Sequence, residues 1–183
     1  MRKLRDIANF WRDRAGAVAV EFALLTPVAI TLFMGMFELT QVLLAHMKLV
    51  NATEVAADLL GQQKAVCVSD VTGFGTAASL VMEPFSPNLK VEFASIKYSS
   101  GGVPSIDWHQ EVNGATALTL TPTLTTSLET LGTTTSDSVV IAQTTYTYTS
   151  PISYVLPRSF TFSEESFVRP RFVVNIPKPT TGC

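Results

Sequence analysis

The sequence predicts an α+β protein. One long N-terminal helix, its first half membrane-spanning and its second half amphipathic, packs on a small antiparallel β-sheet domain. Three observations carry that expectation. From Ala15 to Phe37 the chain reads AGAVAVEFALLTPVAITLFMGMF, apolar but for Glu21. Apolar residues then recur at three- and four-residue steps to about residue 60, as on a helix face. The remainder is rich in threonine, which occurs 23 times in 183 residues and mostly late in the chain, and it alternates apolar with polar residues as half-buried strands do.

Charge and composition narrow the function. The formal net charge of −2 hides an asymmetry. Arg2, Lys3, Arg5, Arg12 and Arg14 precede the apolar run, against only Asp6 and Asp13, while the rest of the chain is net acidic. Beyond that short head there is no basic footprint for nucleic acid. Charged residues make up 15% of the chain, where a soluble domain has about 25%. Two histidines and two cysteines supply too few clustered ligands for a zinc site of the usual kind. No cofactor and no metal are expected, and an anchored structural protein is favoured over an enzyme.

The apolar run is long enough to cross a bilayer, whose ~30 Å core takes about 20 residues. It exceeds the apolar part of a removable secretory signal, about 7–15 residues. The basic head places the N-terminus in the cytoplasm and everything after about residue 40 outside. Glu21 is costly inside such a segment, roughly 2.5–3.5 kcal/mol at mid-membrane, and no lysine or arginine follows within a turn or two to pair with it. It either snorkels to the cytoplasmic interface or pairs with a positive group on another chain. Pro27 and Gly35 interrupt the helix, with a kink expected at Pro27.

Leu39, Val42, Leu43, Met47, Val50, Val55 and Leu59 suggest the buried face of a continuing helix running from about residue 10 to about 62, with Gly61 as its C-cap. His46 reads as an interfacial residue rather than a ligand. The sequon Asn51-Ala52-Thr53, mid-helix, reads as coincidence. Ser69-Asp70 can cap a short helix through Met82, closed by Pro84, with Gly-Phe-Gly at 73–75 as its loose start. Val91–Ile96 and Val103–Val112 read as a hairpin about Ser99-Ser100-Gly101-Gly102, with Ile106, Trp108, Gln110 and Val112 on one face. Ala115–Thr121 and Val139–Thr149 read as further strands. Thr123–Ser138 reads as a short helix around Leu128 or a loop, and Phe160, Phe162 and Phe167 mark a last strand.

No catalytic residues emerge. His109 shares strand parity with Asp107, opposite Trp108, but no nucleophile elbow or phosphate-cradling loop accompanies it. Glu92, Glu111, Glu164 and Glu165 are too scattered along the chain to argue a carboxylate pair or a metal cage. Cys67 and Cys183 both fall on the outer, oxidising side, where thiols tend to pair. A bridge between them would close a loop of more than 100 residues, worth about 4–5 kcal/mol in the chain-entropy account. Two unpaired thiols, or a C-terminal cysteine serving another chain, are the alternatives.

Arg14-Ala15-Gly16 followed by Ala17-Val18-Ala19-Val20-Glu21-Phe22 resembles a class III prepilin signal: a basic leader, a glycine, a glutamate five residues on, then an apolar helix. With Phe37-Glu38-Leu39 at the far end and Glu165-Ser166-Phe167-Val168-Arg169-Pro170-Arg171 near the C-terminus, the chain is similar to the TadE/TadG-type minor pilins (pseudopilins) of bacterial tight-adherence (Flp, type IVc) pili. The likeness is strong over residues 10–60 and weak over 65–150. Major Flp pilins carry a tyrosine where this chain has Phe22, which favours the pseudopilin class.

The resemblance implies a pilin-like fold and cleavage by a prepilin peptidase between Gly16 and Ala17. The chain then divides into a basic leader (1–16), a transmembrane helix (17–38), an amphipathic extension (39–64) and an extracytoplasmic β-rich domain (65–183). The new α-amino group of Ala17 would partner Glu21, which sets the charge register of assembly. Partners implied are other pilin and minor pilin subunits, the peptidase, the inner-membrane pilus assembly machinery and membrane lipid. The implied role is assembly (initiation, tip or priming) of an adhesive pilus. The alternative is an uncleaved, signal-anchored binding protein.

Overall fold

The computed structural model describes residues 14–85, 87, 89–132, 134, 135, 137–152 and 155–181. Most of the expected leader and Cys183 lie outside them. Among the described residues the elements run α1 (Arg14–Gly61), α2 (Val68–Val81), β1 (Lys90–Tyr98), β2 (Pro104–Val112), α3 (Pro122–Glu129), β3 (Ser138–Thr149) and β4 (Ser159–Val168). The chain forms two compact units, Met1–Gln41 with Ser150–Arg158, and Val42–Thr149 with Ser159–Cys183.

The larger unit is built on a four-stranded antiparallel sheet of order β2-β1-β3-β4. Alternation along each strand gives the sheet two apolar faces. Val91, Phe93, Val140, Ala142, Tyr146 and Tyr148 meet the second half of α1 and α2. Ala94, Ile96, Tyr98, Val139 and Ile141 meet Leu118, Leu124 and Leu128 on the other side. The α+β expectation therefore holds, with the long helix packed on a small antiparallel sheet.

The helix presents a different stripe from the one its large apolar residues suggest. Ala45, Leu49, Ala52, Ala56, Ala57 and Leu60 are fully buried, with Thr53 1% exposed. Leu43 and Met47 are instead 55% and 63% exposed. Small side chains win the sheet-facing positions because they let the helix backbone approach, and close packing is what dispersion and burial reward. Thr53 is accommodated by donating to the carbonyl of Leu49 at 2.7 Å and by a hydroxyl contact with Thr144 of β3. At the helix end an added Cβ on Gly61 would lie 2.7 Å from Val168 Cγ1, so the close approach of β4 requires glycine there. The carbonyl of Gly61 accepts the Arg171 N–H at 2.9 Å.

In α2 the cap falls two residues earlier than the sequence suggests. Cys67 is the N-cap, and its N–H donates to the carboxylate of Asp70 at 3.0 Å, the reach-back half of a capping box. The Ser99–Gly102 turn is as expected, with Gly102 at φ 74 and Ser99 N–H donating to the Val103 carbonyl at 3.0 Å.

Two readings of the strands are corrected. Residues 115–120 carry a strand-like pattern but join no strand; they run as irregular chain into Thr121, whose hydroxyl accepts the Leu124 N–H and caps α3. This segment covers the second face of the sheet, so its apolar residues serve burial without a ladder. Second, the register shifts between Ser95 and Ile96, pairing Ser95 with Trp108 but Ile96 with Ile106. The extra residue, Asp107, reverses strand parity. Trp108 and Val112 therefore join the α1-side core while Ile106 packs on the other face, and the four residues do not share one face.

After β4 the chain turns back along the sheet. Trp108 donates to the Ile176 carbonyl at 2.8 Å, Ser95 donates to Asn175 at 3.0 Å, and Thr180 bridges Cys67.

Candidate functional site

The smaller unit holds the residues on which function was expected to rest. Gly16 and Ala17 lie at the start of α1, with nothing within 4 Å of a Cβ added at Gly16. Glu21 is exposed and forms no ion pair among the described residues. Around it Val18, Phe22, Leu25, Leu32, Phe33 and Met36 are all 64–73% exposed. Over the most apolar window of this helix no residue is buried, which distinguishes it from the core helix of a water-soluble domain. One N-terminal apolar helix of this length fits membrane anchoring.

The polar groups of this stretch are made compatible with an apolar surrounding. Thr26, Thr31 and Thr40 donate their hydroxyls to the carbonyls of Phe22, Pro27 and Met36, at 2.6, 2.8 and 2.8 Å, the i−4 pattern that satisfies a hydroxyl within its own helix. Pro27 stands inside α1, and its carbonyl is the one Thr31 uses.

Glu38, read in the sequence only as part of the Phe37-Glu38-Leu39 motif at the far end of the apolar run, is 1% exposed. The loop between β3 and β4 closes at its neck, Ser150 N–H to Arg158 carbonyl at 2.9 Å, and its far side meets the helix. One Glu38 carboxylate oxygen accepts the N–H of Val155 at 3.1 Å and of Leu156 at 2.8 Å. Val155 also lies over Gly35, 3.5 Å from where a Cβ would stand. That motif and its position, a charge directly following a long apolar run, were its sequence signals, and neither pointed to the loop it holds. Its loop donors are more than a hundred residues away.

In the larger unit the outer polar residues are sorted by the register. His46 pairs with Glu164 of β4 at 2.8 Å and meets Phe162 edge-on. Lys97 pairs with the bulged Asp107 at 2.8 Å, which separates Asp107 from His109. Glu92 and Glu111 are direct cross-strand partners, so the expectation that they are scattered is overturned. His109 Nδ1 lies 3.4 Å from Glu92 Oε1 and 3.8 Å from Glu111 Oε1. Glu92 is 2% exposed; its Oε1 accepts the Leu118 N–H at 3.3 Å, while its Oε2 has no partner among the described residues. Burial drives its carboxyl above the usual 4.5, against the lowering pull of the Leu118 N–H and His109.

Cys67 is nearly buried at the N-cap of α2. Its neighbours hold the C-terminal tail: Val68 N–H donates to the Thr180 carbonyl at 3.0 Å, and Thr180 N–H to the Val66 carbonyl at 3.3 Å.

An α+β protein with a bare apolar helix that fits membrane anchoring is the class that these features define. Residues 16–58 match the family model described as TadE-like protein. No curated protein and no solved structure matches.

Two outcomes follow from the carboxylates. Glu38→Ala leaves two loop N–H groups without their acceptor, at about 1–3 kcal/mol each. Amide exchange at Val155 and Leu156 should accelerate roughly tenfold or more, with Glu38→Gln intermediate; unchanged exchange in the alanine variant would show that the loop is held otherwise. For Glu92, a raised folded-state value means that the native protein holds this proton more tightly than the unfolded chain. That contribution to stability is present below pH 4.5 and is lost as pH rises through the raised value. In chelator-treated buffer, Glu92→Gln should therefore match the parent in thermal midpoint at acidic pH and exceed it at neutral pH.

Proposed function

We propose that this chain is a minor pilin (pseudopilin) that is processed by a prepilin peptidase and takes part in assembling a tight-adherence type IV pilus for surface attachment. The observation that carries the reading is the uncovered apolar half of α1, bearing Glu21 five residues after Gly16, within a TadE-like match that begins at that glycine. The basic head orients the helix, N-terminus in the cytoplasm and sheet domain outside, and is then removed. The mature chain begins at Ala17. Its α-amino group, on the same chain or a neighbour, balances Glu21, because two charges desolvated together are tolerable where one alone is not. Lateral packing of α1 against the helices of other pilin subunits, with the inner-membrane assembly machinery as host, covers the apolar face that this chain leaves bare.

Coexpression with a prepilin peptidase should yield a protein whose N-terminal sequence starts at Ala17, and Gly16→Ala should block that shortening. A chain that still begins Met-Arg-Lys beside an active peptidase would sink the reading. Glu21→Ala should abolish incorporation into pili while its level in the membrane stays normal.

The same outward placement of the domain favours a Cys67–Cys183 bridge. Backbone pairing of Thr180 on either side of Cys67 brings a residue three positions before Cys183 to that cysteine. Alkylation without prior reduction should leave both cysteines unmodified by mass spectrometry; two alkylated thiols would refute the bridge.

A further inference from the structure

The pairing of Glu92 with Glu111 is unfavourable as it stands. Like charges directly opposite each other on antiparallel strands repel, and one of this pair is buried with an oxygen that nothing in the described residues satisfies. A buried polar atom without a partner costs free energy. His109, diagonal to Glu92 on the same face, completes the arrangement. One ligand atom from each of the three residues lies within 4.8 Å of the others.

We propose that Glu92, His109 and Glu111 form a binding site for one divalent transition-metal cation of the zinc type. Zinc bonds of about 2.0–2.1 Å to nitrogen and oxygen, at a tetrahedral angle, put neighbouring ligand atoms about 3.3 Å apart. The imidazole nitrogen here stands 3.4 and 3.8 Å from the two carboxylate oxygens, so small side-chain movements close the shell. An imidazole with two carboxylates suits zinc, whereas calcium and magnesium prefer oxygen alone. Two carboxylates and a dication sum to zero charge, which removes both the cross-strand repulsion and the isolated buried charge. The site is reachable, since His109 and Glu111 are each nearly half-exposed, and the fourth position would be filled by water. The elements tied together are the β1–β2 hairpin and, through the Leu118 N–H on Glu92, the irregular segment covering the second face. None of this depends on the pilin reading, and a failed processing experiment would leave it standing.

The test uses the full chain in detergent micelles, without a histidine tag, stripped with chelator and dialysed against zinc chloride. One equivalent of zinc should remain, and the thermal midpoint should rise on adding zinc and fall back on adding chelator. His109→Ala and Glu111→Gln should each weaken zinc binding by more than about tenfold, since even outer contacts of a metal site are worth 10–100-fold. His46→Ala, altering the other histidine, should bind zinc as the parent does. Absence of bound zinc in the parent, or binding that survives His109→Ala and Glu111→Gln while falling in His46→Ala, overturns the site. Should either site variant lose its far-UV circular dichroism, cobalt bound to the parent decides the matter: intense visible bands of a tetrahedral ion with a nitrogen ligand support the site, and the weak spectrum of the hydrated ion refutes it.

Discussion

One helix serving two surroundings is the constraint on which the rest of this protein depends. Over residues 42–61, α1 meets a sheet and turns alanines, Leu49, Thr53 and Leu60 toward it. Over residues 16–37 the described chain covers almost nothing. Leaving a large apolar side chain in water rather than burying it costs about 1.5–3 kcal/mol, and Phe22, Leu24, Leu25, Leu32, Phe33 and Met36 all stand exposed. In the proposed pilin, lipid and neighbouring helices meet that cost, and the threonines that bond inward to i−4 carbonyls leave a helix surface suited to either.

Local pattern was enough to find most elements. A long apolar run, an alternating pair about a Ser-Ser-Gly-Gly turn, a threonine-rich strand at 138–149 and a phenylalanine-bearing one at 159–168 all report the pattern of their own backbone. What could not be read is what depends on distant partners. The buried face of α1 was sought in its largest residues, because burial usually follows size; the sheet instead selected alanine for close approach. One extra residue, Asp107, reversed the parity of everything before it in β2. Residues 115–120 look like a strand because apolar residues set among threonines cover a sheet face, and only the ladder they lack tells the difference. The pairing of Glu92 with Glu111 is a matter of register, and nothing near either residue announces it.

The same distinction governs the carboxylates. Glu38, Glu92 and Glu21 all stand where a charge is expensive, and the chain treats them differently. Glu38 is answered from within: a loop brought from far along the sequence gives it two peptide N–H donors, charge-assisted bonds of the stronger kind. Glu92 is answered by half, one oxygen taking the Leu118 N–H and the other taking nothing among the described residues. Glu21 has no ion-pair partner in the described chain at all. A carboxylate whose cost is met by its own fold is structural, and its loss would loosen one loop. A carboxylate whose cost is left open instead requires something from outside, and the surroundings define what. For Glu92 the nearby imidazole and second carboxylate ask for a cation small enough to sit among them. For Glu21, on a helix flank with apolar neighbours, the proposed processing would supply the positive group: the α-amino group of Ala17, on the same chain or on a neighbour.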